Sequence, residues 1–231
     1  LIANERFGIF DFTSNFQVRN FSVDKQTEFF VNDFDWKSNK WLTKKGFANQ
    51  FLGKIKTVNY DANNTSVYKS EGTNTEVSGA LGFLSKLALF KEDIQNNKKH
   101  FLTPKLLFRY APGHMRDLDN GRLQHSNLFE LNKLEDIDVI ESGLSASLGL
   151  DYSRHKVSKD NKNDKEEINF SIGQVISDEE NTDMPSSSSM DQRFSDVVGY
   201  ANYNISDTTS IKYNFAIETA FLPSEVLSQL S

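Results

Sequence analysis

The alternation of apolar and polar positions is clearest in residues 211–221. Odd positions there carry the apolar side chains Tyr213, Phe215, Ile217 and Phe221. Even positions carry the polar side chains Lys212, Asn214 and Glu218. Successive side chains of a β-strand point to opposite faces, so this segment is predicted to be a strand with one apolar and one hydrated face.

The same alternation recurs along the chain. It is strong in residues 144–152, in residues 168–176 and around Phe10 to Val18, and weaker in four further segments, namely 28–36, 47–60, 77–89 and 102–110. Together these runs predict about nine strands of roughly 10 to 15 residues, where soluble sheets usually have strands of ~5 or 6. A tilted strand that crosses a bilayer needs ~9–11 residues. The predicted fold class is therefore all-β, an antiparallel transmembrane β-barrel.

Composition narrows the function classes. Only 37% of residues are hydrophobic and the mean hydropathy is −0.54, so no apolar run reaches the ~18 residues of a membrane-spanning helix. Aromatic residues nevertheless make up 12%, with 19 Phe, which suits strands that have one apolar face. The net charge of −6 and the scattered basic residues argue against nucleic acid as a partner. The absence of cysteine excludes disulfides and cysteine metal sites.

The segments between the predicted strands differ in length. Tight links are predicted at 61–64, 96–99 and 204–207, which are rich in turn-forming residues. Long loops are predicted at 111–142, 156–166 and 178–191, so one rim of the barrel is expected to be short and the other elaborated. Residues 1–231 are interpreted as part of a single barrel domain. The chain begins at Leu1, without an initiator Met, and we expect it to be a piece of a longer protein.

Three ordered motifs go beyond this pattern. The first is Leu102-Thr103-Pro104-Lys105 continuing to Tyr110-Ala111-Pro112, the second is Asn127-Leu128-Phe129-Glu130-Leu131-Asn132-Lys133, and the third is Asp138-Val139-Ile140-Glu141-Ser142-Gly143. In order and spacing they resemble the barrel of the LptD family of lipopolysaccharide-assembly proteins. Phe170-Ser171-Ile172-Gly173-Gln174 resembles a later strand of that family, and 196–203 with 209–215 its next hairpin. The resemblance covers about 101–222. Val139 stands where the family usually has Arg, so a role of that Arg is not carried over.

The resemblance implies a place and a function. This chain would be an interior portion of a very large antiparallel barrel in the cell outer membrane. Lipopolysaccharide would arrive from a periplasmic bridge that binds a domain absent from this chain, pass through the wall and lumen, and enter the outer leaflet. An LptE-like lipoprotein would plug the lumen. Such transport requires no covalent chemistry, so neither a catalytic residue nor a cofactor is expected.

The alternation of apolar and polar positions also predicts which residues line the lumen of the barrel. Seven polar positions are predicted to face the lumen, namely Lys105, Arg109, Asp151, Asn169, Lys212, Asn214 and Glu218. A charge on the lipid face at mid-depth costs roughly 2–4 kcal/mol, whereas one in a hydrated lumen costs far less. Lys105 and Arg109 could meet phosphates of a passing glycolipid. The alternative interpretation is that all seven are solvated lumen residues without a specific ligand.

Other candidate sites are weaker. Asp117-Leu118-Asp119-Asn120-Gly121 resembles a calcium loop only in part, because its Gly is one position early and Leu128 replaces the closing Glu. The four histidines, namely His100, His114, His125 and His155, show no metal-ligand spacing. No Gly-x-Ser-x-Gly element is present. We expect turn-rich surface loops, with no metal site.

Individual residues that break the pattern are expected to be structural. Pro104 lies inside a predicted strand, where it removes a hydrogen bond of the ladder and predicts a bulge, an edge or a local bend. Gln174 interrupts an otherwise apolar face. Trp36 and Tyr110 could belong to the aromatic girdles at the membrane interfaces.

Two other function classes remain open from the sequence. One is a porin or receptor barrel outside this family, which would have a self-contained, even set of strands. The other is a soluble β-sandwich or carbohydrate-binding module, which would bury its phenylalanines between two sheets. A barrel portion with two open edges would leave unpaired backbone groups in lipid. We therefore expect that residues 1–231 alone do not form a stable barrel.

Overall fold

The structure is a computed structural model that describes residues 2–22, 25–63, 72–157, 165–206 and 208–219. Its described residues form twelve β-strands and one short 3₁₀ turn at Ser186–Ser188. The strands are β1 (Ile2–Glu5), β2 (Gly8–Ser22), β3 (Lys25–Lys37), β4 (Trp41–Leu42), β5 (Phe47–Asn63), β6 (Gly72–Leu87), β7 (Leu89–Asp93), β8 (Lys98–Ala111), β9 (Gly143–Lys156), β10 (Lys165–Ser177), β11 (Val197–Asn204) and β12 (Ser210–Ile217).

All the strands belong to one antiparallel sheet. Its order is β1-β2-β3-β5-β6-β8-β9-β10-β11-β12, and the short strands β4 and β7 pair with β5 and β8. Within the described residues β1 and β12 each have one neighbour, so this sheet is open at both sides. The predicted all-β fold of an incomplete antiparallel barrel is confirmed. The expected nine strands correspond to those of 8 to 17 residues, and the three additional ones have only 2 to 5 residues.

One face of the sheet, which we call the outer face, is apolar and has no second layer against it among the described residues. Leu81 and Tyr213 are each 64% exposed there, and Phe34 is 52% exposed. Aromatic rings contact one another across strands, as in the pair Phe51 and Phe83 with ring centroids 5.5 Å apart. Further exposed members of this face include Phe10, Phe16, Phe30, Ile55, Val77, Phe108, Tyr110, Leu144, Leu148, Ile211 and Ile217. Among the described residues, the phenylalanines of this face therefore do not form the core of a sandwich.

The opposite face, which we call the loop-bearing face, holds the buried residues of the protein. Two long loops fold back onto it, the first loop (112–142) and the second loop (178–196). Three clusters of buried apolar side chains lie on this face, and side chains of the first loop pack in or against each one. The first cluster includes Leu131 and Ile140 of this loop, the second includes Leu123, Leu128 and Leu134, and Ile137 packs against the third.

The ends of the strands differ between the two rims. At one rim, the rim of long loops, the strands are joined by the first loop, the second loop and the links 23–24 and 64–71. At the other, the rim of short turns, they are joined by the turns 6–7, 94–97 and 205–209 and by the links 38–46 and 157–164. The predicted long loops at 111–142 and 178–191 are thus confirmed. The predicted tight link at 61–64 is wrong, because β5 continues through Asp61 to Asn63, and Asp61 pairs with Glu28 and Thr73. Asn64, Asp207, Phe221 and most of the charged run 156–166 lie outside the described residues.

Pro104 interrupts the ladder without shifting it. Pairing of β6 with β8 ends at Lys86 and Lys105, and pairing of β7 with β8 resumes at Leu89 and Leu102 in the same register. No pair forms at Pro104 on that side, whereas it pairs with Leu150 on the other. A proline nitrogen cannot donate a hydrogen bond, which explains why one long strand is divided into β6 and β7. Of the three alternatives expected from the sequence, a bulge, an edge or a local bend, the bulge is absent at this position.

Candidate functional site

The first loop is fitted to recesses in the wall that glycines create. A Cβ atom placed on Gly82 of β6 would lie 2.7 Å from Leu131 Cδ2, and one on Gly149 of β9 would lie 2.8 Å from Phe129 Cζ. A Cβ on Gly173 of β10 would overlap the Cδ2 atom of Leu128. Real Cβ atoms do not approach this closely, so the absence of side chains at these three glycines lets Leu128, Phe129 and Leu131 reach the backbone.

Arg109 anchors the same loop by hydrogen bonds. It is 3% exposed, and its Nε donates to the Leu131 carbonyl oxygen at 2.6 Å. Its Nη2 donates to the Glu141 carbonyl oxygen and lies 3.2 Å from Glu141 Oε2. The other carboxylate oxygen of Glu141 accepts a bond from the Leu134 amide at 2.5 Å. A buried ion pair is tolerated when hydrogen bonds satisfy its remaining donors and acceptors, which is the arrangement here.

A second set of bonds attaches the first loop to β5 and β6. Arg116 donates to a carboxylate oxygen of Glu76, and also to the carbonyl and carboxylate oxygens of Asp138, both at 2.8 Å. Lys56 Nζ donates to the Ile137 carbonyl oxygen at 2.6 Å and lies 3.0 Å from Asp33 Oδ1. The two ends of the loop are thereby held to different strands.

Lys133 is buried beside the Arg109 pair. Its side chain is 0% exposed, and its Nζ has no hydrogen-bond partner among the described residues. Burial is the largest cause that lowers the pKa of Lys133, to about 7, and repulsion from Arg109 lowers it further, while Glu141 and Glu130 oppose the shift. A proton on Lys133 would add an unpaired charge next to Arg109.

Beside this loop lies a cavity of about 430 Å³ between the loop and β3 and β5. Lysines and aspartates alternate along the part of its wall that β3 and β5 form. Lys54 Nζ lies 2.8 Å from Asp35 Oδ2 and 3.2 Å from Asp33 Oδ1, and Lys56 also pairs with Asp33. The loop contributes Glu130, Leu131, Asn132, Glu135, Asp136 and Ile137. Asp33 and Asp35 neutralise Lys54 and Lys56, whereas Glu130, Glu135 and Asp136 outnumber the remaining Lys37, so the lining of the cavity carries an excess of negative charge.

The second loop packs on the first. Met184 and Met190 share a buried cluster with Leu123, Leu128, Leu134, Val175 and Val198. The Leu118 amide donates to the Asp183 carbonyl oxygen at 2.8 Å. The pKa of the Asp183 carboxyl group is raised, chiefly by burial and secondly by its contact with Asp117. No group of three His, Asp or Glu side chains within the described ranges is placed to hold a metal ion.

The sequence-predicted lining residues fall on the loop-bearing face of the sheet. Strand register places Lys105, Arg109, Asp151, Asn169, Lys212 and Asn214 on it, since Arg109 lies opposite Ser145, Asp151 opposite Ser171, Asn169 opposite Asn202, and Asn202 opposite Lys212. Glu218 follows the last residue of β12 and is exposed.

The side chains of these seven residues differ in availability. Arg109 is fully engaged with the first loop, so in this conformation it does not reach a ligand. Lys105 forms an ion pair with Asp151, and its ammonium group lies 5.2 Å from the centre of the Phe129 ring. Lys212 and Asn214 are exposed. The structure thus brings Lys105 and Asp151 together, whereas Arg109 is bound by Leu131 and Glu141.

Sequence reasoning did not assign the partners of the first loop. Glu141 and Lys133 appeared only as motif residues, and Glu76, Lys56 and Asp33 were not singled out. A signal was present for the last two, because Asp33 and Lys56 occupy the polar parity of their alternating segments. The glycine recesses have no signal in a single sequence, since each depends on a contact between residues distant along the chain.

A comparison with known protein families shows which family this chain resembles. The sequence model of the family LptD, described as LPS transport system D, matches residues 4–216. The chain belongs to the LptD family. The match extends well upstream of the motifs at 101–222, over β1 to β7. A comparison with curated proteins found no match.

Membership in this family implies transport and assembly of lipopolysaccharide at the outer membrane. The family is not known for catalysis, and the contacts described above are structural. Among the residues the structure describes, no helix has the length and the apolar character needed to cross a membrane. The residues of the motif Asn127 to Lys133 are those that occupy the glycine recesses and surround Arg109.

Filling one recess is expected to release the first loop. The variant Gly82→Val places methyl groups where Leu131 and Leu107 now lie, and overpacking of this kind costs roughly 1–3 kcal/mol. Trypsin cleavage after exposed Arg122 should accelerate, because Leu123 on the other side of that bond is buried and cleavage requires local opening. Adding Leu131→Ala to Gly82→Val should restore protection. Ser85→Val, on the outer face of the same strand, is the matched control and should change nothing.

The docking of the first loop is expected to depend on pH through Lys133. Its pKa is about 7 when docked, against ~10.4 when solvated, so the released loop binds more protons between those values. Docking should therefore strengthen as pH rises from 7 to 10, by up to roughly 1.4 kcal/mol per pH unit. Hydrogen-exchange protection of residues 127–141, corrected for the intrinsic rate, measures this. Lys133→Met should be more protected at pH 7 and should lack the slope; an equal slope in both proteins would refute the assignment.

Proposed function

We propose that this chain is part of the wall of an outer-membrane translocon that inserts lipopolysaccharide into the outer leaflet. The observation that carries the proposal is the pairing of one continuous apolar face with one polar, loop-covered face, in a chain of the LPS transport system D family. An apolar face without a second protein layer suits hydrocarbon, and a polar face suits a hydrated interior. Residues 1–231 are proposed to form part of one barrel domain, since the described strands make one continuous sheet.

The dimensions agree with this proposal. The apolar outward positions of β8 run from Leu102 to Tyr110, and those of β9 from Leu144 to Tyr152. Each span has nine residues, which matches the ~9–11 residues of one tilted crossing. Gln174, the polar exception, uses its side-chain amide to bond the Ser195 carbonyl oxygen at 2.8 Å, so its polar group is satisfied within the protein.

The polar groups that remain accessible on the loop-bearing face suggest a path for a glycolipid. The first and second loops cover its upper part, near the rim of long loops. Nearer the rim of short turns, polar residues stay partly or fully exposed across neighbouring strands, namely Asp151, Asn169, Ser171, Lys212 and Asn214. Amide, hydroxyl and ammonium groups can bond sugars and phosphates, and we place the substrate path along these residues.

The proposed partners come from the family. An LptE-like lipoprotein would occupy the interior, and lipopolysaccharide would be delivered by a periplasmic bridge through a domain outside this chain. A passive porin is the second candidate. Its pore should be open, whereas the first loop is anchored to the loop-bearing face by the buried pair of Arg109 and Glu141 and by the pair of Arg116 and Glu76, which favours the translocon.

Site-specific crosslinking in the full-length protein tests the proposed path. A photoreactive phenylalanine replacing Asn169 or Asn214 should capture lipopolysaccharide in cells that carry out transport. The same group replacing Ile172 or Tyr213 on the outer face is the matched control, and should capture phospholipid. Capture of lipopolysaccharide at neither loop-bearing position, in a protein that supports growth, would overturn the path.

A further inference from the structure

Cationic side chains form two rows on the outer face, at the short-turn ends of β7 to β10. In the first row Asp93 of β7 lies opposite Lys98 of β8, Lys98 lies opposite Lys156 of β9, and Lys156 lies opposite Lys165 of β10. In the second row Lys91 of β7 lies opposite His100, and His100 lies opposite Arg154. These rows were not recognised from the sequence, because they combine residues from four strands.

The rows lie directly beside the apolar surface. The next row toward the middle of the sheet contains Leu89, Leu102, Tyr152 and Phe170, which pair across the same strands. From the middle of the sheet toward the rim of short turns, apolar side chains thus come first, the Tyr152 hydroxyl second, and the Arg and Lys side chains last. The Tyr152 hydroxyl lies at hydrogen-bond distance, 2.9 Å, from His100 Nδ1. Moving outward from hydrocarbon, a membrane offers the same order of environments, with aromatic groups at the interface and phosphates beyond it.

Lys91, Lys98, Arg154 and Lys156 outnumber the carboxylates beside them, which are Asp93, opposite Lys98, and Glu167. Glu167 Oε2 is shared, at 2.9 Å from Arg154 Nε and 3.7 Å from Lys98 Nζ. In the described part of the chain no carboxylate lies within ion-pair distance of Lys91 or Lys156, and both side chains are exposed. Like charges directly opposite on neighbouring strands destabilise a sheet. A chain of net charge −6 thus concentrates cations where an external anion would relieve their repulsion.

We propose that these two rows bind the phosphate headgroups of anionic phospholipids in the leaflet next to the short-turn rim. The inference rests on the proposed membrane location of the outer face. Outer-membrane barrels place their short turns in the periplasm, so the lipid comes from the periplasmic leaflet. Lys and Arg form charge-assisted hydrogen bonds with phosphate oxygens, and a row across three strands can hold more than one headgroup.

Lipid retention by the full-length protein tests this proposal. The protein is purified in detergent, incubated with equimolar phosphatidylglycerol and phosphatidylcholine, and examined by native mass spectrometry. Wild type should retain phosphatidylglycerol preferentially, and less of it at high salt. The triple variant Lys98→Gln, Arg154→Gln, Lys156→Gln should lose about tenfold or more of that preference. Because glutamine removes repulsion across the rows, the variant should fold, which heat-modifiable gel migration verifies.

A matched variant controls for net charge. Lys40→Gln, Lys44→Gln, Lys45→Gln removes the same charge from the exposed link between β3 and β5 at the same rim, and should keep the preference. Equal retention by wild type and the row variant would overturn the proposal. The proposal would also be overturned if the row variant lost bound lipid A but kept its phosphatidylglycerol. That result would place the rows in the outer leaflet, where lipopolysaccharide resides. The crosslinking of lipopolysaccharide at Asn169 and Asn214 is a separate measurement, so a failure here leaves the translocon assignment standing.

Discussion

The structure depends on a single constraint: each long strand has an apolar and a polar face, and the two require different surroundings. The outer face exposes Phe34, Leu81 and Phe108 with no protein layer over them among the described residues. The polar face cannot be buried against a second apolar sheet without unpaired groups. The chain meets this requirement with its first loop, whose carbonyl and carboxylate groups accept hydrogen bonds from Arg109 and Lys56 and whose Arg116 donates to Glu76.

The attachment of the first loop combines shape and charge. Three glycines allow the backbone of the wall to approach Leu128, Phe129 and Leu131 closely. Removing one partner of a buried pair such as Arg109 and Glu141 typically costs about 3–5 kcal/mol, because it leaves an uncompensated charge. Lys133 works in the opposite direction, since its burial is unfavourable whenever it is protonated. The loop is thereby fixed to the wall, with one titratable residue that weakens the attachment at lower pH.

Much of the fold could be predicted from the sequence, because the period of two is a local property. The strands at 143–156, 165–177 and 210–217 follow from the alternating runs 144–152, 168–176 and 211–221, and the long loops from turn-forming residues. The end of β5 could not be predicted, since Asp61 favours a turn locally and is held in the strand by pairing with neighbours distant in sequence. Pro104 was correctly recognised as a disruption, but whether it produces a bulge or a gap depends on the strand beside it.

The candidate site was predictable only in part. Parity placed Lys105, Arg109 and Asp151 on the polar face, but it could not show that Arg109 is engaged by Leu131 and Glu141, because a loop of 112–142 can fold toward either side of the wall. The motifs at 102–143 suggested the family from half of the chain, whereas the family match covers 4–216. The upstream strands contribute Asp33, Lys54 and Lys56, whose significance appears only when the loop is seen against them.

The central claim is that hydrocarbon meets one face of this sheet and water the other. Nitroxide labels on single cysteines in the full-length protein, reconstituted in lipid nanodiscs, test it most directly. Labels at Leu106 and Phe108 should collide readily with oxygen, which concentrates in lipid, whereas labels at Thr103 and Asn214 should collide with a water-soluble nickel complex. If labels at Leu106 and Phe108 were shielded from both reagents, the phenylalanine face would be covered by protein and the account would be wrong.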